Sequence, residues 1–213
     1  MKRLKTTLDY IHACFKCTSN GNDLIVVDIQ PAYEKGFTFD IGDFIDYLDT
    51  YSGNVLYLYV GESLGFDDNI PQWLMEKAVE HFDYDEEKFE SFYAKINRFE
   101  YFDKGYAFFR DLMDEGYSDD VIPIVKEMIE QDVNDARDLN FDVLRGKELV
   151  EEELIEKLEE GLFFVGIPDL IDIVRGWGNT TVVGGGQHEC LAEVLLLLDI
   201  IGESYTLNHR FIY

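Results

Sequence analysis

The chain has 213 residues, of which 46% are hydrophobic and 15% aromatic, so a folded globular protein is expected rather than a disordered one. Acidic residues outnumber basic residues by 44 to 18, which gives a formal net charge of −26. This charge argues against direct binding to a nucleic-acid backbone, because phosphate contacts need clustered Lys and Arg. It is typical either of a solvated acidic surface or of an acidic protein that occupies the DNA-binding groove of a partner.

No apolar run reaches the length of about 18 residues that predicts a membrane span, so no membrane association is expected. The N-terminus is basic but lacks the continuous apolar segment of a secretory signal. Three cysteines give no disulfide framework, so the expected compartment is the cytoplasm. A single α/β domain over residues 1–213 is predicted, and a homo-oligomer is compatible with this sequence.

The first part of the chain alternates helical and strand patterns. Residues 2–17 carry apolar side chains at three- and four-residue spacing, which predicts an amphipathic helix. The apolar runs at 23–29 and 54–60 predict buried parallel strands, and residues 40–51 between them predict a helix. Residues 70–160 are predicted to be mainly helical and to form a large insertion or cap, with helices at 104–115, 119–140 and 151–160 and another that begins near Pro71.

The last part of the chain returns to the alternating pattern. A helix is predicted to begin at Pro168, followed by a strand at 180–185, an apolar helix near Cys190 and a final strand at 205–213. Apolar strands that alternate with helices predict a mostly parallel, Rossmann-like sheet flanked by helices. Ligands of such folds usually bind beyond the carboxyl ends of the strands, where Asp28, Gly61 and the turn before Cys190 are expected to lie.

Three segments resemble the isochorismatase-like cysteine hydrolases. LIVVDIQPAY is similar to the opening strand of that family, which ends in Asp-x-Gln followed by an aromatic residue, here Asp28, Gln30 and Tyr33. KGYAFF, which begins at Lys104, is similar to the family's Lys-x-x-Tyr-x-x-Phe neighbourhood, and GGGQHECL is similar to its strand–glycine–Cys turn. The resemblance implies that Cys190 is a nucleophile, Asp28 its general base and Lys104 a positive charge that supports the thiolate.

The function that this resemblance implies is hydrolysis of an amide, ester or vinyl-ether-like bond in a small molecule, without a cofactor. A helix N-terminus favours anions and, with a nearby cation, is expected to lower the pKa of the Cys190 thiol. The backbone N–H groups of Glu189 and Cys190 are expected to stabilise an oxyanion. The residues predicted to contact substrate lie after the first strand and before Cys190: Gln30, Tyr33, Gly185, Gly186, Gln187, His188 and Glu189.

A purely structural interpretation of the same residues stands beside the hydrolase. In it, Asp28 caps a turn, Cys190 is a small buried apolar residue and Lys104 is solvated. The carboxylates Asp28, Glu62, Asp67, Asp68 and Glu189 also resemble, in placement, the strand-end carboxylates of PIN and NYN nucleases, which hold Mg²⁺ or Mn²⁺. A zinc site is a further alternative, with ligands drawn from His12, Cys14 and Cys17 and completed by His188 or Cys190.

The competing hypothesis from another class is a non-catalytic acidic protein that binds a protein partner through its charge or its aromatic residues. The acidic, aromatic-rich character of the chain resembles uncharacterised proteins of tailed bacteriophages. That resemblance implies a binder directed at a host protein. The sequence therefore predicts either a small-molecule substrate or a protein partner.

Overall fold

The computed structural model describes residues 23–61, 69–104, 112, 116–147, 150–159, 167–186 and 189–213. Within them, five strands form one sheet: β1 Asp23–Val27, β2 Val55–Tyr59, β3 Glu100–Asp103, β4 Thr180–Gly184 and β5 Tyr205–Ile212. All neighbouring strands are parallel, and their order across the sheet is β3-β2-β1-β4-β5. This confirms the predicted α/β fold with a Rossmann-like parallel sheet.

The described part of the chain contains eight α-helices: α1 Ile41–Thr50, α2 Ile70–His81, α3 Glu86–Ile96, α4 Ser118–Gln131, α5 Phe141–Lys147, α6 Glu152–Glu159, α7 Ile167–Val174 and α8 Cys190–Ile201. None of these helices is long and apolar enough to cross a membrane. Side-chain caps fix where several of them begin. For example, the Asp40 carboxylate accepts the Gly42 N–H at 2.8 Å, and Asn69 accepts the Gln72 N–H at 3.1 Å.

The two faces of the sheet bury two separate hydrophobic cores, because successive side chains of a strand point to opposite faces. Leu24 and Val26 of β1 belong to the core that α1, α2 and α3 cover. Ile25 and Val27 belong to the core that α4 to α8 cover. β1 is therefore buried on both faces, as its continuous apolar sequence predicts.

The prediction that residues 70–160 are mainly helical overlooked one strand of the sheet. β3 lies at 100–103, and its sequence EYFD has only exposed or half-buried side chains. The predicted helix at 104–115 is wrong at its first residue, because Lys104 follows β3 and its N–H donates to the Tyr59 carbonyl at 3.0 Å. Most of the remainder of that predicted helix lies outside the described residues.

The long helix predicted at 119–140 also differs from the structure. α4 ends at Gln131, because Asp132 adopts a left-handed conformation with φ 56° and its N–H donates to carbonyl groups of the last turn. The helices of 70–160 cover the sheet itself: α2 and α3 contribute to one core, and α4 to α6 contribute to the other. The predicted helix at 2–17 lies outside the described residues.

The strand order reverses direction between β1 and β4. From β1 the chain proceeds outward to β2 and β3, and then returns to the other side of β1 to form β4 and β5. In open parallel sheets the crevice at such a reversal, beyond the carboxyl ends of the strands, is the usual ligand site. Asp28 follows β1 and Gly185 follows β4, so both residues lie where the strand order reverses, at the place where such a crevice is expected.

Candidate functional site

Asp28 is the first residue after β1, and its backbone is in the left-handed region with φ 55°. Asp tolerates this conformation better than most residues, but it still needs support from neighbours. The Asp28 N–H donates to the Leu58 carbonyl at 2.9 Å, and the Tyr213 hydroxyl donates to the Asp28 carbonyl at 2.5 Å. The carboxylate of Asp28 is thus presented from a backbone that β2 and the end of β5 both hold in place.

The Gln30 side chain links the same loop to Val60 at the end of β2. Its side-chain Nε2 donates to the Val60 carbonyl at 3.1 Å, and its Oε1 accepts the Val60 N–H at 2.9 Å. Its side chain is completely buried. These hydrogen bonds give Gln30 a structural role, in which its amide joins the loop after β1 to the end of β2, and its contact with substrate stays a prediction. The Tyr57 hydroxyl adds a hydrogen bond to the Ile29 carbonyl.

Lys104 lies directly after β3, and its ammonium forms a buried ion pair with Asp28. The distance from Lys104 Nζ to Asp28 Oδ2 is 3.1 Å, and the two side chains are 0% and 3% exposed. Burial lowers the pKa of Lys104, but the charges of Asp28, Cys190 and Glu193 outweigh it and leave the pKa above its usual value. Lys104 therefore stays an ammonium. Because its side chain is buried, the alternative in which Lys104 is solvated is wrong.

The glycine turn after β4 brings Cys190 to the same edge of the sheet as Asp28 and Lys104. Gly184 has φ 126°, and a Cβ there would lie 1.9 Å from the Val27 carbonyl oxygen, so only glycine lets β4 approach β1 this closely. The Gly186 carbonyl accepts the N–H groups of Glu189 at 2.7 Å and Leu191 at 3.1 Å. This tight turn makes Cys190 the first residue of α8.

Cys190 is buried, with 7% of the residue exposed, and its thiol is close enough to Asp28 and Lys104 for both to act on its pKa. Burial raises its pKa, the Asp28 charge raises it further, and the Lys104 ammonium offsets only part of this, so the pKa is about 12. The prediction that the pKa of this thiol is lowered is therefore wrong. The reason is that burial and carboxylates outweigh one cation and a helix N-terminus.

Glu193 is a member of this cluster that the sequence analysis did not identify. It lies three residues after Cys190 on α8, is 1% exposed, and its charge acts on both Lys104 and Cys190. Residues three apart lie on the same face of a helix, so both face the sheet. The available signal was a glutamate at the start of the otherwise apolar sequence CLAEVLLLL, where a solvated position was not to be expected.

The other residues predicted to contact substrate lie around the same turn. Tyr33 is half-buried and lies close enough to Tyr213 to contribute to the raised pKa of the Tyr213 hydroxyl. Gly185 is buried against Tyr213, since a Cβ on Gly185 would lie 1.9 Å from that ring. Gly186 is half-buried and Glu189 is exposed. Gln187 and His188 lie outside the described residues.

The described residues give the metal alternatives no support. Among them, no group of three or more His, Cys, Asp and Glu side chains could hold a metal ion. Asp28, the first carboxylate of the proposed nuclease set, is paired with Lys104. Of the other members of these alternatives, Glu189 is exposed and Cys190 is buried. The rest lie outside the described residues: Glu62, Asp67, Asp68, His12, Cys14, Cys17 and His188.

Comparison with known proteins returned no match to a family model, a curated protein or a solved structure.

Proposed function

We propose that this chain is a small-molecule hydrolase that uses Cys190 as its nucleophile, on a scaffold similar to that of the isochorismatase-like hydrolases. The observation that carries the proposal is the arrangement around Asp28, whose carboxylate lies 3.1 Å from the Lys104 ammonium and also acts on the pKa of the Cys190 thiol. These three residues are far apart in the sequence and follow three different strands, Asp28 after β1, Lys104 after β3 and Cys190 after β4 at the start of α8. Their meeting in one crevice is what a carboxylate-assisted thiol nucleophile requires.

The raised pKa of Cys190 determines how the nucleophile would work. With a pKa of about 12, the thiolate fraction at pH 7 is on the order of one in 100,000, so attack by a preformed thiolate would be rare. A base that removes the proton during attack avoids this cost. Asp28 is the carboxylate that acts most strongly on the thiol, so we propose it as the acceptor of this proton.

In the first half-reaction, the Cys190 sulfur attacks the substrate carbonyl carbon as its proton passes to Asp28. The carbonyl oxygen becomes an oxyanion, and collapse of this intermediate breaks the bond to the leaving group, which takes the proton from Asp28. Lys104 keeps its charge throughout and stabilises Asp28 as a carboxylate whenever the proton has left it. The product of this half-reaction is a thioester on Cys190.

In the second half-reaction, water attacks the thioester carbon and gives a proton to Asp28. The carbon–sulfur bond then breaks, the acid leaves, and the proton returns to the Cys190 sulfur. The expected oxyanion donors were the N–H groups of Glu189 and Cys190, but the Glu189 N–H donates to the Gly186 carbonyl at 2.7 Å. The N–H of Cys190 at the start of α8 is therefore our proposed donor.

The experiment that tests this function is acylation by an activated ester such as p-nitrophenyl acetate, read by intact mass and by mass spectrometry of the Cys190 peptide. We expect an acyl group on Cys190 that turns over with time. Cys190→Ala should abolish it, and Asp28→Asn should slow it by about 10²- to 10⁴-fold, the usual contribution of a general base. Asp199→Asn, which removes an exposed carboxylate from the same helix, should leave it unchanged.

Acylation that persists in Cys190→Ala, or a rate that is indifferent to Asp28→Asn, would contradict the proposed function. The acidic binding protein would then be the stronger hypothesis. It predicts a salt-sensitive complex with a basic protein partner, which a pull-down at low and high ionic strength would detect. The reducing cytoplasm remains the proposed compartment, because a thiol nucleophile has to stay reduced to act.

A further inference from the structure

We infer that the crevice at Cys190 accepts uncharged or cationic substrates and rejects anions, and that Glu193 determines this preference. The inference rests on the proposed function, since it concerns what reaches the nucleophile. It comes from the balance of charges among the described residues at the carboxyl edge of the sheet. That balance is negative even though Cys190 begins a helix.

Lys104 is a cation that acts on Cys190, and the charge of its ammonium is already balanced by Asp28. It forms the 3.1 Å ion pair with Asp28, and both side chains are buried. An incoming carboxylate or phosphate would have to compete with Asp28 for this ammonium. Because Asp28 is held by its backbone and is part of the same buried cluster, an anionic ligand gains little from Lys104.

Glu193 adds a second carboxylate to the same cluster. It is 1% exposed, lies one helical turn after Cys190, and acts electrostatically on both Lys104 and Cys190. A helix N-terminus is equivalent to about +0.5 elementary charge, which is smaller than one carboxylate placed in its first turn. With Glu193 ionised, the buried charges and the helix sum to a net negative charge where an anion would have to bind.

Two further carboxylates lie at the same edge of the sheet. Glu189 immediately precedes Cys190 and is exposed. Asp103 ends β3 and accepts the Gly61 N–H at 3.0 Å. Neither changes the sign of the local charge, and both add to the field that an approaching anion meets. An amide or ester without a negative charge near the reacting carbon fits this crevice best.

The test compares two alkylating reagents of nearly the same size, neutral iodoacetamide and anionic iodoacetate. Both form a carbon–sulfur bond with Cys190 and release iodide, and the thiol proton passes to base. The readout is the ratio of their rates at Cys190, from mass spectrometry of its peptide, divided by the same ratio for 2-mercaptoethanol. A change in the pKa of the thiol alters both rates equally and so leaves the ratio unchanged.

We expect the normalised ratio of wild-type protein to favour iodoacetamide by about tenfold or more, as expected for a like charge close to the reacting atom. Measurement in about 1 M NaCl, where the Debye length is about 3 Å, removes the general repulsion from the net charge of −26. Glu193→Gln should reduce the ratio by about threefold or more, and Glu193→Asp should retain it. Asp199→Asn makes the same change of net charge on an exposed part of α8 and should have no effect.

A wild-type ratio equal to that of 2-mercaptoethanol would overturn the inference, and so would a ratio that Glu193→Gln leaves unchanged. If Glu193→Gln fails to fold, Glu189→Gln provides the second measurement, made at low ionic strength because the charge of an exposed residue is screened in about 1 M NaCl. As an exposed residue beside Cys190 it should lower the ratio by a smaller factor, and no decrease would count against the inference. Failure of both reagents to modify Cys190 even at alkaline pH would instead contradict the proposed function, because a nucleophile has to be reachable.

Discussion

Replacement of Lys104 by methionine tests the buried ion pair on which the site depends. The variant keeps a long side chain of similar volume but removes the ammonium that lies 3.1 Å from Asp28. At an effective dielectric constant of about 20, two charges at this distance attract by about 5 kcal/mol. Because the change leaves the Asp28 carboxylate buried without its cation, we expect the free energy of unfolding to fall by about 3–5 kcal/mol.

The assay is urea unfolding of the wild-type protein, of Lys104→Met, of Asp28→Asn and of the double variant. The double variant has no buried charge at either position, so its loss should be smaller than the sum of the two single losses by about 2 kcal/mol or more. Lys77→Met is the matched control. Its ion pair with Glu34 is shorter, at 2.6 Å, but the side chains are 23% and 38% exposed, so we expect a loss below about 1 kcal/mol.

Two results would refute this reasoning. One is a loss for Lys104→Met that is no larger than that for Lys77→Met, which would mean that the buried pair is not coupled to folding. The other is strict additivity in the double variant, which would mean that Asp28 and Lys104 act independently. A loss of stability with the expected coupling would establish the ion pair independently of any catalytic role.

Three further predictions concern the surroundings of the pair. The folded protein raises the pKa of Cys190 from 9.0 to about 12, so the stability that the neutral thiol contributes is present below pH 9 and is lost toward pH 12. The free energy of unfolding of Cys190→Ala should therefore fall less steeply above pH 9 than that of the wild-type protein, by up to about 1.4 kcal/mol per pH unit. Equal slopes for the two proteins would contradict this prediction. Gly185→Ala should lower the free energy of unfolding in urea by about 1–3 kcal/mol, because the added Cβ would clash with the Tyr213 ring. Gly178→Ala is the control: a Cβ there meets nothing within 4 Å, so the loss should be below about 1 kcal/mol. Gln30→Leu should lower the free energy of unfolding, measured with heat or urea, by about 2–4 kcal/mol, because the buried N–H and carbonyl of Val60 both lose their hydrogen bonds to the Gln30 amide. A loss as small as that of Gln72→Leu, at an exposed position, would count against this role.

The sequence predicts those parts of the fold that depend on local patterns. β1 and β4 are short apolar runs that end in a polar residue or glycines, so their ends, and with them the positions of Asp28 and the turn before Cys190, follow from the pattern alone. β3 does not follow from it, because EYFD is a four-residue edge strand without a buried apolar run. The position of Lys104 at the carboxyl edge of the sheet therefore required the structure.

Properties that depend on neighbours in space are also beyond the local pattern. A cysteine at a helix N-terminus near a lysine predicts a lowered pKa, and only the structure shows that burial and the charges of Asp28 and Glu193 act on the sulfur as well as the ammonium does. The end of α4 is similar, since Asp132 adopts a left-handed backbone where no glycine marks a stop. Gln30 appears in a motif that suggests ligand contact, but its burial is a consequence of how β2 lies beside β1.

Asp28 is supported from both outer strands of the sheet, since Lys104 follows edge strand β3 and Tyr213 follows edge strand β5. Edge strands exchange their amide hydrogens more readily than central ones, because they open in local fluctuations that leave the rest of the protein folded. Local opening of β3 or of β5 would remove the contact of Asp28 with Lys104 or with Tyr213, while β1 itself stayed intact. Turnover of an acyl group on Cys190 should consequently be lost at lower denaturant concentrations than the bulk helical signal.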